Sequence, residues 1–370
     1  MIAWYYYLAA IPVFALLVLV HEFGHFITAK WAGIRVDEFA LGFPPRIAGI
    51  KRGETMYSIN LLPLGGYVKM PGENGDMYDD SGTVDPRTFA AKPASKRLIV
   101  LLAGVTMNLL LAIVLFSAAE AVGQVQFPTT IGSVEQSSPA AAAGLAPGDR
   151  IITVDGQPVK YFSDVQTVTT QDIQKALAAN KNATTAPIVI TYRAKGSSVQ
   201  KTVTVQARTK PPTGQGYLGI GLDEQHAIHL SVPIWQAPIK GVQDVGTVTV
   251  ETGQGIQQII RGILPINKAV SGPVGIVSIT GQVASSVPII GWYWLLFLAG
   301  ALSLNLAFVN ILPIPALDGG RVLLVLIEVL RRGKRLSPER EGLVNLIGMG
   351  ALLFLIALVT VSDVGNIFIH

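Results

Sequence analysis

Four stretches of the chain are apolar for long enough to cross a bilayer, about 4–25, 98–118, 292–312 and 343–361, since roughly 20 residues of helix span the hydrocarbon core. Between the second and third the pattern changes. From about residue 125, period-two β-branched runs ("IITVDG", "PIVITYRA", "QKTVTVQA") alternate with Gly, Pro, Asp and Asn turns, which predicts a small folded domain over 125–208. "TKPPTGQG" then reads as a linker, and 250–268 has the spacing of an amphipathic helix suited to a bilayer surface. In the first loop, "YSINLLPLGGYVKMPGE" (57–73) sets Gly65 and Gly66 between apolar runs. The pair predicts a hairpin, and such apolar backbone is tolerated at membrane depth only against protein or a wet cavity.

The expected organisation is therefore a membrane core over 1–124 with two spans and the hairpin, an inserted α+β domain over 125–208, a linker with the amphipathic helix over 209–290, and a second membrane core with two spans over 291–370. The first span lacks the basic n-region and the A-x-A site of a signal peptide and is expected to be retained.

Composition agrees with the pattern. Half of the 370 residues are hydrophobic and 14% are charged, with mean hydropathy +0.47, against about a quarter charged in soluble proteins. The net charge of +4 is spread over loops, without the basic and aromatic footprint of a nucleic-acid binder. With no cysteine, a metal site must use His and carboxylate ligands. Basic residues gather between spans one and two (Lys30, Arg35, Arg46, Lys51, Arg52) and between spans three and four (Arg321, Arg331, Arg332), while 119–140 and 362–370 have none. The positive-inside rule then puts both termini and the inserted domain outside the cytoplasm, and the far end of span one toward it.

That end reads "LVLVHEFGHF". On a helix, His21 and His25 share a face, with Glu22 beside them, which is the H-E-x-x-H pattern for zinc with a glutamate as general base. The plainer reading is a pair of histidines capping the last carbonyls. An ionisable group closing an apolar run is costly without a partner, however, and a dication supplies one. A third ligand is sought at the same membrane face. In "NILPIPALDGGR" (310–321), Pro313 and Pro315 break the helix and allow Asp318 to turn back toward the bundle; the alternative is an Asp-Gly-Gly turn at the interface. Asn108, four residues after Gly104 in span two, would either orient water or bind the reacting carbonyl oxygen, or else only join helices. Asn305 and Asn310 carry the same two readings, with Asn310 favoured for substrate contact. His226 and His229 lie in a polar linker and read as surface residues.

The sequence resembles the bacterial site-2 proteases, intramembrane zinc metalloproteases of the regulator-of-sigma type. The match is carried by His21-Glu22-x-x-His25, Gly104-x-x-x-Asn108 and Asn310-x-x-Pro-x-Pro-x-x-Asp318-Gly319, with "NLLPLGGYVKM" resembling the family's membrane-associated β-hairpin and "SGPVGIV" (271–277) a segment before span three. "SSPAAAAGLAPGDRIITVDGQPV" (137–159) resembles a PDZ core. "YLGI" (217–220) resembles a PDZ carboxylate-binding loop but follows the assigned strands, so it is not assigned to a groove.

The resemblance implies an α-helical polytopic protein of the bacterial plasma (inner) membrane, with four transmembrane helices, a β-hairpin and one PDZ-like domain where some relatives have two. It implies Zn2+ on His21, His25 and Asp318, and Glu22 as catalytic base. The substrates implied are transmembrane segments of single-span proteins, such as anti-sigma factors already trimmed by another protease, or remnant signal peptides. An extended substrate would add to the hairpin edge near Gly65 and Gly66. The PDZ-like domain would bind cut C-termini or merely exclude bulky ectodomains. Competing classes are a divalent-metal transporter, disfavoured by the lack of an inverted repeat, and an inactive PDZ scaffold.

Overall fold

The computed structural model describes residues 3–73, 85–212, 215–262, 271–332 and 338–368. The chain divides into two compact units, Gly123–Ser231 and the two flanking stretches that precede and follow it.

In the flanking unit, α1 (Ala10–Ala32) follows a short 3-10 turn, Trp4–Ala9, and stops where Gly33 adopts the left-handed conformation at φ 72°, its N–H bonded back to the last turn. The helix outlasts the apolar run seen in the sequence, so the His21–His25 segment sits inside it rather than at its end. Strands β1 (Glu38–Arg52) and β2 (Thr55–Lys69) come next. Their turn falls at Gly53 and Glu54, with Arg52 opposite Thr55. Gly65 and Gly66, expected to make a hairpin, lie instead within β2, where the strand doubles back: residues 38–41 pair with both 56–59 and 66–69. Gly65 permits this at φ 127°, a conformation closed to L side chains, and a Cβ there would meet the Phe43 ring at 2.7 Å. Phe43, Ile47, Ile50, Ile59, Leu61 and Leu62 all stay exposed. Such an apolar surface suits contact with lipid.

Helix α2 (Ala94–Val122) packs against α1 and against three of the later helices. Gly24 makes the α1–α2 approach close: a Cβ on it would lie 2.6 Å from the Ala103 carbonyl oxygen.

The Gly123–Ser231 unit contains β3 (Gln124–Gln126), β4 (Ile131–Val134), α3 (Pro139–Ala142), β5 (Arg150–Val154), β6 (Gln157–Pro158), α4 (Phe162–Ala179), β7 (Thr185–Arg193), β8 (Gln200–Arg208), β9 (Ile220–Leu222) and β10 (Ile228–Leu230). A four-stranded antiparallel sheet, β6-β5-β7-β8, carries the core. Alternate residues of β7 and β8 face inward, and Ile188, Ile190 and Val205 are fully buried with Ile151, Val165 and Ile173. Each such side chain contributes roughly 1.5–3 kcal/mol on burial. The unit reaches beyond residue 208 because β9 returns to pair with β4 and β10 with β3. His226 Nδ1 is hydrogen-bonded to Asp223 Oδ2 at 2.8 Å on this unit's surface.

The chain then re-enters the flanking unit through α5 (Ala237–Ile260), α6 (Pro273–Ile290), α7 (Tyr293–Ile311), α8 (Asp318–Leu330) and α9 (Pro338–Phe368). The amphipathic helix expected at 250–268 begins earlier, at Ala237, and residues 263–268 lie outside the described ones. Among the described residues five helical stretches, not four, are long and apolar enough to cross a membrane. The additional one is α6, read from sequence as linker because its Ser, Thr, Gln and Gly residues and interior Pro288 dilute the apolar run.

Candidate metal centre

Helix geometry alone stacks His21 and His25 on one face of α1, both buried, with their rings 4.8 Å apart. What brings a carboxylate to them is the break after α7. Leu312 leaves the helix in extended conformation, Ala316 takes φ 77°, and α8 begins at Asp318 itself. Gly319 and Gly320 allow the turn to close: a Cβ on either would lie 2.3 Å from a carbonyl oxygen, of Ile311 or Leu312 for the first and of Ile314 for the second. Farther along α8, Glu328 accepts a 2.7 Å bond from the buried Arg97 of α2, and Arg321 binds Glu73 beyond β2. These bridges hold the helix that carries Asp318.

The outcome is a triangle of donor atoms. Asp318 Oδ2 lies 3.1 Å from His21 Nε2 and 3.2 Å from His25 Nε2, and the two nitrogens are 3.2 Å apart. Ligands about 2.0–2.1 Å from a tetrahedral zinc ion are separated by about 3.3 Å, so the triangle has the size such an ion requires. Among the described residues this is the group of His and carboxylate side chains able to hold a metal. The wall facing it is Gly104, where a Cβ would fall 2.4 Å from His25 Nε2 and 2.8 Å from His21 Nε2. Any larger residue would fill the cradle.

The remaining polar contacts orient the rings. His25 Nδ1 donates to the Val100 carbonyl at 2.8 Å, which leaves its Nε2 lone pair free. Asn108, wholly buried, sets its amide 3.1 Å from His21 Nδ1, and Ser303 on α7 donates to the Asn108 backbone carbonyl at 2.8 Å. Glu22 is half-buried, and β2 passes against it: a Cβ on Gly66 would meet Glu22 Cγ at 3.1 Å and Val18 Cγ1 at 3.0 Å. Asn305 is exposed on α7, and Asn310 is half-buried in its final turn. Sequence reasoning missed Arg97, Glu328, Arg321 and Ser303. The signal was there in part, for Glu328 is a charge inside the apolar run of 322–330, where it needs a partner.

In the Gly123–Ser231 unit, a cavity of about 290 Å³ lies between α4 (Phe162, Val165, Thr169) and the segment Tyr217–Ile220. The "YLGI" stretch thus lines a groove despite following the main strands in chain order.

A family model described as peptidase family M50 matches residues 9–355. Zinc metalloprotease RasP of Geobacillus kaustophilus is 30% identical over 436 aligned positions, covering 97% of each chain. RasP of Shouchella clausii is 29% identical over 98% of this chain and 99% of its own. A protein of Clostridium acetobutylicum is 34% identical over 96% of both chains.

Proposed function

This chain belongs to peptidase family M50 and is a multi-pass membrane zinc metalloprotease; we propose that it hydrolyses peptide bonds in or beside the transmembrane segments of single-span proteins, with His21, His25 and Asp318 as zinc ligands and Glu22 as general base. The observation that carries this assignment is the 3.1–3.2 Å triangle of two imidazole nitrogens and one carboxylate oxygen.

A zinc ion held by His21, His25 and Asp318 would supply Lewis acidity toward water and the scissile carbonyl. Glu22 takes a proton from the attacking water onto its carboxylate and returns it to the departing amide nitrogen. A helical substrate hides its carbonyls in its own hydrogen bonds, so it must unwind first. The 66–69 segment, running past Glu22, is the edge to which the unwound stretch adds, with Gly65, Gly66 and Asn310 as substrate contacts. Membrane-anchored regulators such as trimmed anti-sigma factors, and remnant signal peptides, are the substrate classes we favour. We read the Gly123–Ser231 unit as PDZ-like, its α4 groove taking cut C-terminal ends.

The basic loops favour a site toward the cytoplasmic face, with both termini and the PDZ-like unit outside. That topology requires four crossings. Helix α6 is the one we read as not crossing. Its first residues are capped by Asp363, near the end of α9, with Gly272 and Gly275 N–H donating at 3.2 and 2.7 Å, and its last residues adjoin Tyr293 at the start of α7. Both ends of α6 therefore lie at the extracytoplasmic side.

The test is cleavage of a single-span model substrate by the full-length enzyme in liposomes. Cleavage should vanish with chelator and with Glu22→Gln while zinc stays bound to the variant; wild-type turnover by Glu22→Gln would overturn the proposal.

A further inference from the structure

We infer that Asn108 is a positioning residue for His21, an amide able to serve either tautomer of that ring by a half-turn of its own. The inference rests on the reading of His21 as a zinc ligand. The two histidines are held differently. His25 Nδ1 faces a backbone carbonyl, which only accepts, so its proton is fixed on Nδ1 and its Nε2 is free to ligate. His21 Nδ1 faces Asn108 Nδ2 at 3.1 Å, a donor, so in this arrangement the His21 proton belongs on Nε2, facing the free His25 Nε2 lone pair at 3.2 Å.

A ring that ligates through Nε2 must carry its proton on Nδ1 and needs an acceptor there. That acceptor is already at hand. Asn108 Oδ1 is buried and, among the described residues, has no hydrogen-bond partner, an uncommon state for a buried carbonyl. Turning the terminal amide by half a revolution exchanges Oδ1 for Nδ2 at His21 and changes the volume of nothing. The backbone stays still, because Ser303 Oγ holds the Asn108 carbonyl at 2.8 Å. Asparagine is thus suited to this place as neither a pure donor nor an apolar residue would be.

Zinc affinity of the full-length chain in detergent, by competition with a chromogenic chelator, separates the roles. Asn108→Asp, at a pH where its carboxylate is ionised, can only accept and should keep affinity within threefold of wild type or tighten it, whereas Asn108→Leu should weaken it by about 10–100-fold. With 15N-histidine labelling, zinc should move the His21 proton to Nδ1 in the wild type. Equal affinity for Asn108→Leu and wild type would overturn the inference, as would a more than threefold loss in Asn108→Asp, which also decides the matter alone should Asn108→Leu fail to fold. His21→Ala serves as the reference: undiminished zinc binding there would instead sink the ligand assignment on which the inference stands.

Discussion

Asp318 Oδ2 stands 3.2 Å from His25 Nε2 although about four-fifths of the chain's length separates them in sequence. The helix that begins at Asp318, α8, is also tied to α2 by Arg97 and Glu328, whose side chains are only 7% and 12% exposed. Truncating one partner of a largely buried pair costs up to about 3–5 kcal/mol. Arg97→Leu and Glu328→Leu should each lower the thermal unfolding temperature and weaken zinc binding. The double Leu variant should be less destabilised than the sum of the two single changes.

Gly104 should tolerate no side chain. A Cβ there would lie 2.4 Å from His25 Nε2, so Gly104→Ala should displace an imidazole and abolish both zinc binding and proteolysis. Gly246 has open space around it. Gly246→Ala, measured by the same zinc titration, should be indistinguishable from wild type.

The sequence made the histidine pair legible because helical spacing is local, and Asp318 could be suspected from the prolines and glycines around it. The doubled β1–β2 pairing could not be read, since Gly65-Gly66 looks like a turn until residues 38–41 are seen to pair on both sides. Nor could α6 be told from a linker. Its cap comes from Asp363, on another helix far along the chain. The Asn108 contact to His21 was likewise hidden, because the GxxxN spacing places Asn108 on a face without saying which ring it meets.

The absence of native cysteine makes topology directly measurable by single-cysteine labelling with a membrane-impermeant maleimide. Gly291→Cys and Ser231→Cys should both label from the extracytoplasmic side, and Arg332→Cys only after the membrane is opened. Labelling of Ser271→Cys only from the cytoplasmic side would mean that α6 crosses.

The β1–β2 ribbon should weaken in acid. Burial pushes the Glu38 carboxyl up, but the Ser58 hydroxyl, the Arg46 guanidinium and the Tyr67 hydroxyl outweigh it and hold it below the usual carboxylate range. A carboxyl lowered in the folded state adds stability above its unfolded pKa and loses it as pH falls through the folded value. Hydrogen exchange of strand amides should therefore speed up in the wild type as pH drops below about 4.3, after correction for intrinsic rates. Glu38→Gln should show faster exchange already at neutral pH and little further change.

Zinc K-edge X-ray absorption on the purified full-length enzyme bears most directly on the metal site. The spectrum should show the outer-shell scattering of two imidazoles with light-atom donors at about 2.0–2.1 Å, and Asp318→Leu, purified in parallel, should hold less than one zinc per chain. A wild-type spectrum with fewer than two imidazoles, or an Asp318→Leu variant that keeps its zinc with wild-type affinity, would contradict the joint grip of His21, His25 and Asp318 on one ion.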